Sequence, residues 1–206
     1  MKTAKLVIVG DTNVGKTCIV NSIKGLPFTR QMQTNCVDNS QILVKTDKGN
    51  VEVFIYDTAG QEVYQSLSAT YARDADITFL VFDLTSDLSF KNLVAWFDVM
   101  RNVHADNIVY VIGNKSDENN REVEDSNSAK MYIYNNFEGD VHTEYIEVSA
   151  KTGKNIDVLF KMAAEEFLDG RSSKRREEAE ERSVNITECS KNKENDEIVK
   201  KKCCGS

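Results

Sequence analysis

The chain has 206 residues, 40% of them apolar, enough for one sizeable core with a tail or for two small domains at most. No run approaches the roughly 18 consecutive apolar residues of a membrane-spanning helix. The N-terminus enters a strand-like run without a signal-peptide pattern, so a cytosolic chain is expected. The formal net charge of −7 divides unevenly, with 16 Lys/Arg against 25 Asp/Glu in residues 1–170 and 10 against 8 in residues 171–206. An acidic body argues against nucleic acid as a partner. The five cysteines show neither metal-ligand spacing nor an extracellular framework, so disulfides are not expected.

Leu6-Val7-Ile8-Val9 reads as the first strand, followed by Gly10-Asp11-Thr12-Asn13-Val14-Gly15-Lys16-Thr17 and a helix over Cys18–Ile23. In that setting G-x-x-x-x-G-K-[ST] is a phosphate site rather than a string match. Successive backbone N–H groups of such a loop ring a polyphosphate, and the helix N-terminus adds partial positive charge. Lys16 is expected to reach the terminal phosphates and the Thr17 hydroxyl to ligate Mg²⁺, with Cys18 closing the loop's contact set.

Gln41–Thr46 alternates, and Asp47-Lys48-Gly49-Asn50 turns it into Val51–Tyr56, which predicts a hairpin and an antiparallel edge strand. Asp57-Thr58-Ala59-Gly60-Gln61 begins where that second strand ends, so Asp57 can hold Mg²⁺ through water and the Gly60 N–H can meet a γ-phosphate. Ile77–Phe82, Ile108–Ile112 and Tyr145–Val148 are further apolar strands, separated by helices over Ser86–Val103, Ser126–Phe137 and, last, Asn155–Leu168. Leu93, Trp96, Phe97 and Met100 recur at helical spacing as a core face. Continuous apolar strands point to a sheet covered by helices on both faces. The expected fold is therefore α/β: one open, mostly parallel six-stranded sheet with one antiparallel edge strand. Ligands would sit beyond the C-terminal ends of its strands.

Asn114-Lys115-Ser116-Asp117 follows the Ile108–Ile112 strand. A carboxylate there can accept two parallel bonds from guanine N1–H and its exocyclic amine, a donor pair that adenine lacks. Lys115 can cover the base with its stem, and Asn114 can tie this loop to the phosphate loop. Ser149-Ala150-Lys151 follows the last strand, where the Ala150 N–H can meet guanine O6.

With GDTNVGKT, DTAGQE, NKSD and SAK in this order, residues 1–170 resemble the single G domain of a Ras-superfamily small GTPase. The resemblance implies GTP as substrate, GDP as product and Mg²⁺ as cofactor. It makes Phe28 the aromatic flanking guanine, Thr34 the threonine that completes the metal's coordination when a γ-phosphate is present, and Gln61 the residue that orients the attacking water, beside Lys16. Within the superfamily the segments 56–62, 70–75 and 80–85, with the terminal cysteine pair, resemble Rab proteins. That implies a slow switch in vesicle traffic, served by an exchange factor, a GTPase-activating protein, effectors and prenyl-escort or extraction proteins. Arg30 is not an evident arginine finger, so an activating protein would supply one. The stretch Thr34-Asn35-Cys36-Val37-Asp38-Asn39 departs from the usual Rab pattern, as does Tyr56 in place of tryptophan. Partner choice is therefore not carried over. An interaction protein with negligible hydrolysis, a Ras- or Rho-type signalling GTPase and a P-loop ATPase or nucleotide kinase stand as alternatives. Asp117 opposes the last of these.

Residues 171–206 lack aromatics and carry dense mixed charge, which predicts a flexible tail. They end in Lys200-Lys201-Lys202-Cys203-Cys204-Gly205-Ser206, an ending that resembles doubly geranylgeranylated Rabs and implies lipid on Cys203 and Cys204. Two chains plus nearby lysines anchor stably where one does not. The expected location is the cytoplasmic face of intracellular membranes, in exchange with cytosol. As a flexible coil of 32 residues, the linker 171–202 would span about 30 Å.

Overall fold

The computed structural model describes residues 2–29, 38–58, 74–103, 108–123, 126–137 and 143–170. Six strands form one sheet: β1 (Lys2–Val9), β2 (Asp38–Thr46), β3 (Gly49–Asp57), β4 (Ile77–Asp83), β5 (Ile108–Asn114) and β6 (Thr143–Glu147). Their order is β2-β3-β1-β4-β5-β6. Only the β2–β3 pairing is antiparallel; β3, β1, β4, β5 and β6 run parallel. The hairpin closes at Thr46 opposite Gly49, leaving Asp47-Lys48 as its two-residue turn.

The helices among the described residues are α1 (Lys16–Ile23), α2 (Asp87–Lys91), α3 (Leu93–Val103), α4 (Ser126–Asn136) and α5 (Ile156–Leu168). None of the described helices is long and apolar enough to cross a membrane. Successive β1 side chains point to opposite faces, which is why its apolar run is continuous. Leu6 and Ile8 join Ile19, Phe79, Tyr110 and Phe160 in one core layer. Val7 and Val9 join Leu80, Phe82, Trp96 and Phe97 in the other.

One expectation is corrected. The helix read as continuous from Ser86 to Val103 is two segments, interrupted at Asn92. Asparagine favours local side-chain bonds over helix interiors, and the Asn92 amide is engaged by Asp11 at 2.8 Å. Helical spacing still holds beyond the break, since Leu93, Trp96, Phe97 and Met100 are all buried. Strand bounds also extend further than the apolar runs, most at β1, whose first polar residues pair with β3 from Lys2↔Val51 onward.

Strand order matters for function. β3 lies on one side of β1 and β4 on the other, so connections diverge around the C-terminal end of β1. That divergence opens the crevice in which α/β sheets bind ligands.

Candidate functional site

The loop that leaves β1 turns on three residues with positive φ: Gly10 (140°), Asn13 (65°) and Gly15 (98°). Left-handed backbone of this kind aims consecutive N–H groups at one point and makes an anion cradle. Asparagine tolerates it better than most side chains. A Cβ on Gly10 would stand 2.1 Å from the Val81 carbonyl oxygen, and one on Gly15 would stand 2.3 Å from Asn114 Nδ2. The loop is thus pressed against β4 and β5 where only glycine fits. Gly15 begins α1 without a side-chain cap, leaving the first-turn N–H groups to a ligand.

Lys16 is buried, and its Nζ donates to the carbonyls of Gly10 and Asp11, each at 2.8 Å. Burial lowers its pKa to about 8, against the pull of Asp57 and Asp11. An ammonium held in so dry a place gains much from a phosphate oxygen. Thr17 Oγ1 donates to Asp57 Oδ2, joining the helix start to the end of β3. Asp57 is 2% exposed and its Oδ1 has no hydrogen-bond partner among the described residues. Burial raises the Asp57 pKa, opposed by the Thr17 bond and Lys16. A buried carboxylate oxygen left open beside a hydroxyl is a donor set for a hard cation such as Mg²⁺, and the residues fit that ion. Thr58 secures the strand end by donating its hydroxyl to the Ile8 carbonyl at 2.7 Å.

The second half of the site comes from the ends of β5 and β6. Asn114 is buried; its Nδ2 donates to the Val14 carbonyl at 2.8 Å and its Oδ1 accepts the Ala150 N–H at 3.1 Å. One amide thereby joins three loops. The Ala150 N–H, expected to be open toward a base, is engaged by Asn114. Asp117 Oδ1 accepts from Ser149 Oγ at 2.6 Å, while Oδ2 accepts no hydrogen bond among the described residues and lies 3.3 Å from the Lys151 ammonium. Partial burial works against ionisation of Asp117, but the Ser149 and Lys151 contacts outweigh it and hold its pKa below the usual value. Lys151 is raised by Asp117 and Glu118. Phe28 lies after α1 and is 45% exposed, available to a planar ligand. Cys18 is half-buried on α1, and burial raises its thiol, so it is no activated nucleophile.

Sequence reasoning missed Asp83. It ends β4, accepts Thr85 N–H at 2.8 Å and Thr85 Oγ1 at 2.7 Å, and pairs with the Lys115 ammonium. Lys115 itself has φ 65°. Asp83 therefore ties down the cationic end of the side chain whose stem would lie against the base. The signal was present, because an acid closing an apolar strand is the feature that marked Asp57. Thr34, Gly60, Gln61, Arg30, Cys203 and Cys204 lie outside the described residues.

A profile of the Ras family matches residues 5–169. Ras-related protein Rab-37 of Mus musculus is 32% identical over 168 residues, which is 80% of this chain and 73% of that protein. Ras-related protein Rab7 of Drosophila melanogaster is 34% identical over 172 residues, 80% of each chain. Ras-related protein Rab-19 of Mus musculus is 32% identical over 167 residues, 80% of this chain and 75% of its own. The match runs through β1 to α5 and takes in every loop of the crevice: the chain belongs to the Ras family, as a Rab-like small GTPase.

Proposed function

We propose that the protein is a Rab-type switch that binds GTP, hydrolyses it slowly to GDP and phosphate, and regulates membrane traffic through partners that recognise the GTP form. The observation that carries the reading is Asn114, whose amide holds the phosphate loop and the two base-side loops at one crevice. The family's chemistry then assigns roles that are inherited from it. The N–H groups from Gly10 through Cys18 and the Lys16 ammonium bind the phosphates. Asp117 takes guanine N1–H and the exocyclic amine, Lys115 and Phe28 flank the ring, and Ser149, Ala150 and Lys151 complete the base pocket. For Ala150 to reach guanine O6, its N–H must be shared with Asn114. Mg²⁺, when bound, neutralises charge on the β- and γ-phosphates; Thr17, Thr34 and, through water, Asp57 would hold it. Gln61 orients the water, and Gly60 and Thr34 respond to the γ-phosphate, so hydrolysis changes which partner binds. Arg30 is not an evident arginine finger, so an activating protein would supply one.

Single-turnover hydrolysis tests this. Gln61→Leu is expected to slow the step at least about tenfold, a floor set below the roughly 10²–10⁴-fold that positioned groups contribute. An unchanged rate would favour a binding protein with negligible hydrolysis. Calorimetry in which ATP binds more tightly than GTP would favour a P-loop ATPase or nucleotide kinase.

The tail carries a separate proposal: geranylgeranyl groups on Cys203 and Cys204, with Lys200–Lys202 beside them, anchor the protein at the cytoplasmic face of intracellular membranes. Escort and extraction proteins would move it through the cytosol. Replacing both cysteines with serine is expected to leave nucleotide affinity intact and to shift the protein from the membrane pellet to the supernatant. Membrane-bound double variant would exclude lipid anchoring.

A further inference from the structure

We propose that Asp11, Asn92 and Trp96 form a clamp that seats the phosphate loop on helix α3 and slows nucleotide release. The three side chains bond to one another, so they act as positioning residues. The inference rests on the nucleotide-binding reading above.

Asp11 is an acid inside a loop built for polyphosphate, where a free carboxylate has the wrong sign. Here both its oxygens are engaged by residues of the α2–α3 segment. Oδ2 accepts from Asn92 Nδ2 at 2.8 Å, and Oδ1 accepts from Trp96 Nε1 at 2.7 Å. The partners stand 81 and 85 residues further along the chain. Bonds to an ionised acceptor are the strong ones, and two of them fix both position and orientation. Their far end is rigid, because the Trp96 ring is 2% exposed and packs in the core with Leu93, Phe97 and Met100. Asn92 stands at the break between α2 and α3, where its side chain reaches the loop. The near end bears on the site directly: the Asp11 carbonyl is one of the two that accept the Lys16 ammonium. A shift of the Asp11 backbone therefore moves a partner of the lysine that would meet the phosphates.

By linkage, a clamp that favours the closed loop holds nucleotide longer, and nucleotide in turn favours the clamp. Trp96 is the chain's single tryptophan, so its emission reports the contact.

The test uses the full chain loaded with a fluorescent GDP analogue and chased with excess GDP. Asp11→Ser is expected to speed release about tenfold, the loss of one strong bond's worth of coupling. Asn92→Ala and Trp96→Phe are expected to speed it by smaller factors, and Asp11→Ser with Asn92→Ala no more than Asp11→Ser alone. Stripping nucleotide with EDTA and phosphatase is expected to shift Trp96 emission in the wild type and not in Asp11→Ser. Should Asp11→Ser fail to fold by circular dichroism, Asn92→Ala carries the test. Release within about twofold of wild type in the folded variants, or fully additive effects, overturns the clamp while leaving the GTPase reading standing. Wild-type chain that retains no guanine nucleotide overturns that reading, and the clamp with it.

Discussion

Replacing Asp117 with asparagine is expected to exchange the base that the protein holds. Guanine presents two donors on one edge, N1–H and the exocyclic amine, and the Asp117 carboxylate offers two acceptors. Ser149 Oγ donates to Oδ1 at 2.6 Å and would keep an oxygen there in the variant. The new Nδ2 then takes the place of Oδ2, the atom that now accepts no hydrogen bond. A donor there opposes the guanine amine and suits the carbonyl that xanthine carries at the same ring position. Sites built to bond one polar group reject its mismatch by about 10⁴–10⁵-fold, so GTP affinity should fall by at least about 100-fold while xanthosine triphosphate gains. Competition calorimetry with both nucleotides reads the exchange. Equal losses for both would mean that Asp117 supports the loop without reading the base.

Asn114→Ala carries the second large effect, and it acts on the fold and the site together. The amide is 1% exposed and serves the Val14 carbonyl and the Ala150 N–H. Alanine leaves both backbone groups unpaired beside a small void. Each orphaned buried group costs about 1–3 kcal/mol, so urea unfolding should show a loss of about 2–5 kcal/mol, near the upper range for single substitutions. The phosphate loop and the base loops also lose their common strut, and GTP affinity should fall more than stability alone explains. Added GTP should therefore protect the variant less than the wild type, because the stabilisation follows the ratio of ligand to dissociation constant. A variant that melts like wild type would assign the strut to the backbone contacts around it.

Burial explains why these two positions dominate. Surface pairs such as Lys48–Asp169, with both side chains over 40% exposed, are screened by water and contribute little. Asn114 is 1% exposed and the Asp117 side chain 13% exposed, so an unmet polar atom at either has little water to turn to.

Much of this was legible in the residues. The strand, loop and helix around Gly10–Thr17 depend on spacings of a few residues, as do the apolar strands and the alternating edge strand Gln41–Thr46. The acid closing Val51–Tyr56 and the Asn114–Asp117 motif are equally local. The break at Asn92 was not legible, because no proline or glycine marks it and the partner of its amide, Asp11, lies 81 residues away. Asp83 was legible as an acid closing an apolar strand, but its role was not, because its partner, Lys115, is 32 residues away.

The sequence by itself determined the fold class, the phosphate loop and the order of the nucleotide motifs, since backbone geometry and side-chain period act over one or two turns. Tertiary structure alone decided which of those motifs touch. Asn114 meets Val14 across 100 residues, and Trp96 meets Asp11 across 85, only because the sheet order sets β1, β4 and β5 side by side. Strand order carries no periodic signal, and the polar atoms it brings together can be counted as paired or open only once the sheet has formed.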